Sequence, residues 1–244
     1  MTQTVVLSNS LGSTSAIWDR QVPALEGYRV IRYDHRGHGD SPVPRGPYTI
    51  ADLGHDVLEL LDSLDVERAS FCGLSLGGMV GMWLAAHAPE RIDRLVLLCT
   101  SARLPRQPWL ERARLVRAEG TSAVADLVVG RWFTPAFSAR EPELVERMRA
   151  MIAATPAEGY ASCCEAIAAM DLRDDLRAIR APTLVLGAAD DPAIPVEHST
   201  AIAHGIEDAR LVVLADAAHL PTIEQHALVT QYIVEHLEGA AHER

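Results

Sequence analysis

The feature that most limits the possible folds is a short apolar run that recurs between stretches of helical pattern. Runs of this kind are typical of strands buried on both faces, and the helical stretches between them are typical of crossovers in a parallel sheet. They lie at residues 4–7, 28–33, 70–72, 94–98, 183–187 and 210–214. The pattern predicts an α/β fold with a mostly parallel sheet of about six main strands.

The alternation stops between residues 103 and 178, where helical patterns such as WLERARLVRAEG and EPELVERMRAMIAA take over. A helical excursion inside an α/β chain is most simply a cap that lies over one end of the sheet. We therefore predict an α/β core of residues 1–102 and 179–244, and a helical cap of residues 103–178.

The charged residues exclude several classes of function. All 22 basic residues are arginine, so the chain has no lysine for a Schiff base, which excludes the usual pyridoxal phosphate chemistry. A formal net charge of −11 argues against nucleic acids and anionic membranes as partners. Residues 103–180 carry 12 arginines and 11 carboxylates, so this section is the part of the chain suited to an anionic ligand.

The remaining composition indicates a cytoplasmic protein. The first residues lack a basic start followed by a long apolar run, and no stretch approaches the roughly 18 apolar residues of a membrane span. The cysteines have no metal-ligand spacing, and Cys163 and Cys164 are adjacent and poorly placed for a disulfide. We expect buried, reduced thiols at Cys72, Cys99, Cys163 and Cys164.

The third predicted strand leads into Gly73-Leu74-Ser75-Leu76-Gly77, which matches the pattern G-x-S-x-G between a strand and a helix. Glycine is needed on both sides because a Cβ there would collide with the sharp turn that carries the serine. Ser75 is therefore the predicted nucleophile.

A serine nucleophile needs a base, and the base needs an acid that orients it. The chain order serine, acid, histidine places both partners after the cap, at the ends of later strands. His219 follows the last predicted strand and is the predicted base. Asp191 is preferred to its neighbour Asp190 as the acid because an Asp-x-x-x-Pro turn begins there, and Asp216 is interpreted as a loop residue.

The oxyanion formed by attack on a carbonyl needs N–H donors fixed in advance. One predicted donor is the amide of Leu76, directly after the nucleophile, and the other is the amide of Leu11 in the loop after the first strand. The alternative is that this loop is a plain strand-to-helix connection.

With these residues in order, and with the turn DHRGHG at residues 34–39, nearly the whole chain resembles the α/β-hydrolase family. The segments at 9–18, 130–137 and 160–176 are more closely similar to 3-oxoadipate enol-lactonases. The chain departs from the family pattern in lacking an N-terminal β-hairpin before its first strand. One sheet edge is then either exposed or covered by a partner subunit, as in a homo-oligomer.

The resemblance implies a serine esterase that opens the enol-lactone to 3-oxoadipate in the β-ketoadipate branch of aromatic catabolism. The substrate would be a small anionic lactone, the acyl-enzyme would form on Ser75, and neither a metal nor an organic cofactor would be needed. Arg131 would then bind the substrate carboxylate, with Trp132 and Phe133 as walls of the pocket. The alternative for Arg131 is a surface side chain whose stem covers apolar neighbours.

Two other functions remain open from the sequence. One is hydrolysis of a neutral ester or lactone by the same fold, and the other is a receptor-like protein that binds a small lactone and signals through its cap. Fold alone does not distinguish them.

Overall fold

The computed structural model describes residues 2–239, so the outer limits of the predicted core, residues 1 and 244, lie outside the described residues. Six strands form one sheet in which every neighbouring pair is parallel, in the order β2-β1-β3-β4-β5-β6. They are β1 Thr4–Ser8, β2 Arg29–Arg32, β3 Ala69–Leu74, β4 Ile92–Leu98, β5 Thr183–Ala188 and β6 Ala209–Leu214. The predicted α/β class and the six main strands are confirmed.

Burial explains why these segments are strands. The central strands β1, β3 and β5 are buried at every position because helices cover both faces of the sheet. The edge strands β2 and β6 are partly exposed, and Val213 on β6 is 44% exposed. Each strand ends at the same edge of the sheet, so the loops after β1, β3, β5 and β6 meet there.

Helices connect the strands and flank the sheet. They are α1 Ile50–Ser63, α2 Leu76–His87, α3 Arg106–Glu119, α4 Ser122–Trp132, α5 Pro135–Arg140, α6 Pro142–Ala154, α7 Ala157–Ala169, α8 Val196–Gly205, α9 Pro221–Glu224 and α10 His226–Leu237. A capping box starts α1: the Thr49 side chain accepts from the Asp52 amide, and the Asp52 side chain accepts from the Thr49 amide.

Helices α3 to α7 lie between β4 and β5, and we call residues 103–178 the helical segment. Inside it, α3 is tied to α7 by Arg117, which forms ion pairs with Glu158 at 3.0 Å and Glu165 at 2.5 Å. The hydrogen bond from Arg117 lowers the pKa of Glu158 to about 2, because the guanidinium favours the charged carboxylate. This network fixes the two helices as one layer.

Helix α7 also touches the core directly. Gly159 lies against Gly37 in the turn after β2, where Gly37 has a φ of +77° that favours glycine. The close approach brings Tyr160, the next residue of α7, over the loop that follows β1.

Two further findings concern the whole described chain. The four cysteines are buried and unpaired, as predicted. Within residues 2–239, the helices are too short or too polar to span a bilayer.

Candidate active site

Ser75 lies on the turn between β3 and α2 with φ 55° and ψ −111°, a conformation that side chains with a Cβ rarely adopt. Two hydrogen bonds hold it there. Its amide donates to the Leu98 carbonyl at 2.8 Å, and its carbonyl accepts from the Thr100 hydroxyl at 2.7 Å. The strain is therefore maintained by the last residue of β4 and by Thr100 in the loop that follows it.

The two motif glycines are required by contact. A Cβ on Gly73 would lie 2.2 Å from the Gly77 carbonyl oxygen, and a Cβ on Gly77 would lie 2.5 Å from the Ser8 carbonyl oxygen. Neither backbone atom can move away at low cost, so the turn admits only glycine at both positions.

Asp191 and His219 are brought together at the ends of β5 and β6. Asp191 Oδ2 lies 2.7 Å from His219 Nδ1, and both residues are 4% exposed. The other carboxylate oxygen accepts the amides of Ala193 at 2.8 Å and Ile194 at 3.0 Å, which fixes the plane of the carboxylate. The neighbouring candidate Asp190 is exposed to solvent, as is Asp216.

Ser75 and His219 line the same cavity beneath the helical segment. Among the other predicted residues, Leu11, Arg131 and Trp132 also line it. Its remaining walls come from Ser10, Met79, Leu104, Trp109, Arg112, Val128, Tyr160, Ala193 and Ile194. The helical segment thus covers the carboxyl ends of the strands where the Asp191–His219 pair lies.

Phe133 corrects one prediction, because it is not part of this cavity wall. Helix α4 ends at Trp132, and the next residue, Phe133, has an extended backbone. The ring is buried and stacks on Phe137, with 4.9 Å between ring centroids. Phe133 therefore packs α4 against α5.

Among the described residues, the cavity wall contains two arginines and no carboxylate side chain. Arg131 is half-buried at the C-terminal end of α4. Arg112 is half-buried on α3, and its guanidinium lies over the Trp109 ring, 4.6 Å from the centroid. In a chain of net charge −11, the two arginines make this cavity locally positive.

Sequence reasoning missed Trp109, Arg112 and Tyr160. A usable signal for the first two is their spacing of three residues on one predicted helix, which places them on the same face. Tyr160 carried no comparable signal, since only the approach of α7 to the core brings it to the cavity.

The loop after β1, which carries the predicted oxyanion donor Leu11, is held by two hydrogen bonds. The Gly77 amide donates to the Asn9 carbonyl at 2.9 Å, and the Gly12 amide donates to His38 Nε2 at 2.9 Å. Burial lowers the pKa of His38 to about 4, so its neutral ring can accept this bond. Leu76 is the first residue of α2, and its N–H has no carbonyl one turn earlier.

Glu224, also missed from the sequence, joins the His219 turn to the helical segment. Its carboxylate accepts the Ala218 amide at 2.9 Å and the Thr134 amide at 3.1 Å. Close by, the Leu220 amide donates to the Trp132 carbonyl at 2.9 Å. The residues on both sides of His219 are therefore tied to the end of α4.

A serine on a strained strand-to-helix turn that lines one cavity with the histidine of a buried aspartate–histidine pair, at the carboxyl ends of a parallel sheet, defines the α/β hydrolases as a class. Residues 3–225 match the family model for the alpha/beta hydrolase fold. The chain belongs to the α/β-hydrolase family, and it is a hydrolase enzyme.

Known relatives are similar over most of their length. The chain is 44% identical to 3-oxoadipate enol-lactonase 2 of Acinetobacter baylyi over 223 residues, which cover 91% of this chain and 83% of the relative. The enol-lactonase structure from Burkholderia xenovorans LB400 matches with a TM-score of 0.95 and 44% identity, covering 98% and 92% of the two chains. A malate-bound thermophilic esterase from Thermogutta terrifontis matches with a TM-score of 0.92 and 33% identity, covering 97% and 90%.

Proposed function

We propose that this hydrolase opens 3-oxoadipate enol-lactone to 3-oxoadipate through an acyl-enzyme on Ser75, as a step of aromatic-compound catabolism. The observation that carries the proposal is the cavity that holds Ser75 and His219 beside two arginines and, within residues 2–239, no carboxylate side chain. The substrate has one carbonyl to attack and one carboxylate to bind. The similarity to two enol-lactonases supports this particular lactone.

In the first step His219 removes the proton from the Ser75 hydroxyl through Nε2, since Nδ1 faces Asp191. Asp191 holds the ring in the tautomer that carries hydrogen on Nδ1, and it stabilises the imidazolium that forms. The two amides bonded to its second oxygen keep this carboxylate from rotating.

Attack of Ser75 Oγ on the lactone carbonyl places negative charge on the carbonyl oxygen. The amides of Leu11 and Leu76 are the proposed donors to that oxygen. Leu11 lines the cavity, and the bond from the Gly12 amide to His38 holds its loop in place.

Collapse of this intermediate breaks the bond between the carbonyl carbon and the ring oxygen. The ring oxygen leaves as an enol that takes the proton from His219, and the enol becomes a ketone, which opposes ring closure. Water then attacks the acyl carbon while His219 takes its proton, the bond to Ser75 Oγ breaks, and the proton returns to the serine.

Arg131 is the proposed anchor for the carboxymethyl arm. It lines the cavity at the end of α4, close to the His219 turn, where the leaving oxygen and its attached arm would lie. Its planar guanidinium can donate two parallel hydrogen bonds to a carboxylate, and Trp132 beside it excludes water. The malate-bound relative supports a carboxylate as the recognised group.

The proposal is tested by following loss of the enol-lactone's ultraviolet absorbance with purified protein. We expect rapid multiple turnover, no turnover in Ser75→Ala, and in Arg131→Leu a KM raised by roughly tenfold or more, as for loss of a charged hydrogen bond. A small neutral ester should be hydrolysed equally by wild type and Arg131→Leu. Wild-type rates in Ser75→Ala would exclude the mechanism, and equal losses on both substrates would make Arg131 structural.

The second candidate is hydrolysis of a neutral ester, which the largely apolar cavity wall and the similarity to an esterase favour. The dependence of KM on ionic strength distinguishes an anionic lactone substrate from a neutral ester substrate. Salt weakens the attraction between an anionic substrate and an arginine, so KM for the enol-lactone should rise with salt, whereas KM for a neutral ester should not.

A further inference from the structure

The two arginines of the cavity lie near different parts of the catalytic machinery. Arg131 precedes Trp132, whose carbonyl accepts from Leu220 next to His219, so this arginine lies on the base side. Tyr160 lies on the other side, because its ring packs against Gly12 in the proposed oxyanion loop: a Cβ on Gly12 would lie 2.9 Å from the Tyr160 ring.

Tyr160 carries a hydroxyl with an unused hydrogen-bonding capacity. The residue is fully buried and lines the cavity, and within the described chain its hydroxyl makes no hydrogen bond of acceptable geometry. Burial raises the pKa of Tyr160, and the guanidinium of Arg112 is close enough to counteract this in part. The hydroxyl is therefore a neutral donor beside a fixed cation, and buried donors of this kind normally have partners.

Arg112 is held in position without a carboxylate. Its guanidinium is stacked on Trp109, and no ion pair to it exists within residues 2–239. By contrast, Arg117, five residues further along α3, forms ion pairs with Glu158 and Glu165. Arg112 thus keeps its N–H donors available to a ligand in the cavity.

The reaction creates an anion on this side of the cavity. Deacylation converts the acyl carbon, whose oxygen points to the Leu11 and Leu76 amides, into a carboxylic acid that ionises at neutral pH. The substrate therefore carries one negative charge and the product carries two, with the new carboxylate formed beside the loop against which Tyr160 packs.

We propose that Arg112 and Tyr160 form a second anion subsite that binds the carboxylate created by hydrolysis, so that the cavity binds a six-carbon dicarboxylate between Arg112 and Arg131. This inference rests on the proposed function for the identity of the product. The subsite itself predicts recognition of any linear dicarboxylate of that length.

The test is calorimetric binding of adipate and of hexanoate, which have the same chain length and differ by one carboxylate. In wild type we expect adipate to bind more tightly, because it uses both arginines. Arg112→Gln should reduce the ratio of the hexanoate Kd to the adipate Kd by about tenfold, the size expected for loss of one charge-assisted contact. Tyr160→Phe should reduce it by a smaller factor.

Arg114→Gln is the matched control, because Arg114 is exposed on the same helix and does not line the cavity. It should leave the ratio unchanged. An unchanged ratio in Arg112→Gln, or an equal weakening of adipate and hexanoate, would overturn the subsite. Because binding is measured without turnover, failure of the wild type to hydrolyse the enol-lactone would refute the proposed function separately.

Discussion

The backbones of Gly37 and Gly159 touch, so that a Cβ built on Gly159 would lie 2.3 Å from the Gly37 carbonyl oxygen. We predict that Gly159→Ala lowers the free energy of unfolding by roughly 1–3 kcal/mol, because helix α7 must move away from the core turn. The displacement carries Tyr160 with it, so KM for the substrate should also change. Urea unfolding monitored by circular dichroism, together with steady-state kinetics, measures both effects.

Gly130→Ala provides the matched control for that contact. Gly130 also lies in a helix, α4, and a Cβ there would meet no atom within 4 Å. Alanine in a helix interior is favoured over glycine by about 0.5–1 kcal/mol, so this variant should be slightly more stable than wild type. Destabilisation of both variants by the same amount would show that the Gly37 contact is not the cause.

A second prediction concerns the choice between two adjacent carboxylates. Asp191→Asn should lower kcat by roughly 10⁴-fold, because an amide in this position stabilises the wrong tautomer of His219. Asp190→Asn should retain nearly full activity, since Asp190 is exposed. Turnover of a chromogenic ester measures both variants, and the opposite ranking would assign the acid to Asp190.

The strained backbone at Ser75 is predicted to lower the stability of the fold. Ser75→Ala keeps the Cβ in the unfavourable conformation, whereas Ser75→Gly removes it. Both variants should be inactive. The glycine variant should be the more stable of the two by about 1 kcal/mol. This difference already includes the opposing effect of glycine, whose larger conformational entropy favours the unfolded chain. Equal or greater stability of Ser75→Ala in thermal unfolding would mean that the turn is unstrained.

Acid should destabilise the protein through His38, whose pKa burial lowers from 6.5 to about 4. Above pH 6.5 both folded and unfolded states hold a neutral ring. As the pH falls from 6.5 to 4 the unfolded chain binds a proton that the native state does not, so stability is lost across this window and the loss levels off below it. One histidine with this shift accounts for about 3 kcal/mol.

His38→Gln isolates this effect, because a glutamine oxygen can still accept the Gly12 amide but does not titrate. The difference in unfolding free energy between pH 7.5 and pH 4.5 should be smaller in the variant by about 2 kcal/mol. His55→Gln, at an exposed position on α1, serves as control and should retain the wild-type pH dependence. An unchanged pH dependence in His38→Gln would contradict a neutral, buried His38.

Much of the fold was predictable because buried parallel strands leave a local signal. The runs at 4–7 and 183–187 became strands β1 and β5 with ends shifted by one residue. The proximity of Asp191 to His219 followed from the shared carboxyl edge of the sheet. Tyr160 and the role of His38 were missed because contacts between segments that are distant in sequence make them important, and no local pattern records such contacts.

Phe133 was predicted to line the cavity but does not. An aromatic residue next to Arg131 and Trp132 was grouped with them from sequence adjacency. A helix end separates the directions of neighbouring side chains, and the last helical residue of α4 is Trp132. Helix ends are also the least certain part of any prediction from a single sequence.

Because Glu224 accepts hydrogen bonds from both Thr134 and Ala218, the helical segment cannot be replaced independently of the region around residue 224. A chimera that received this segment from another hydrolase would lose the Thr134 contact unless the donor supplied an equivalent, and the turn before His219 would lose a stabilising contact. Recombination within the family should therefore succeed most often when the segment and the region around residue 224 are inherited together. A substitution in the helical segment that moves Thr134 would therefore also shift the turn that carries His219.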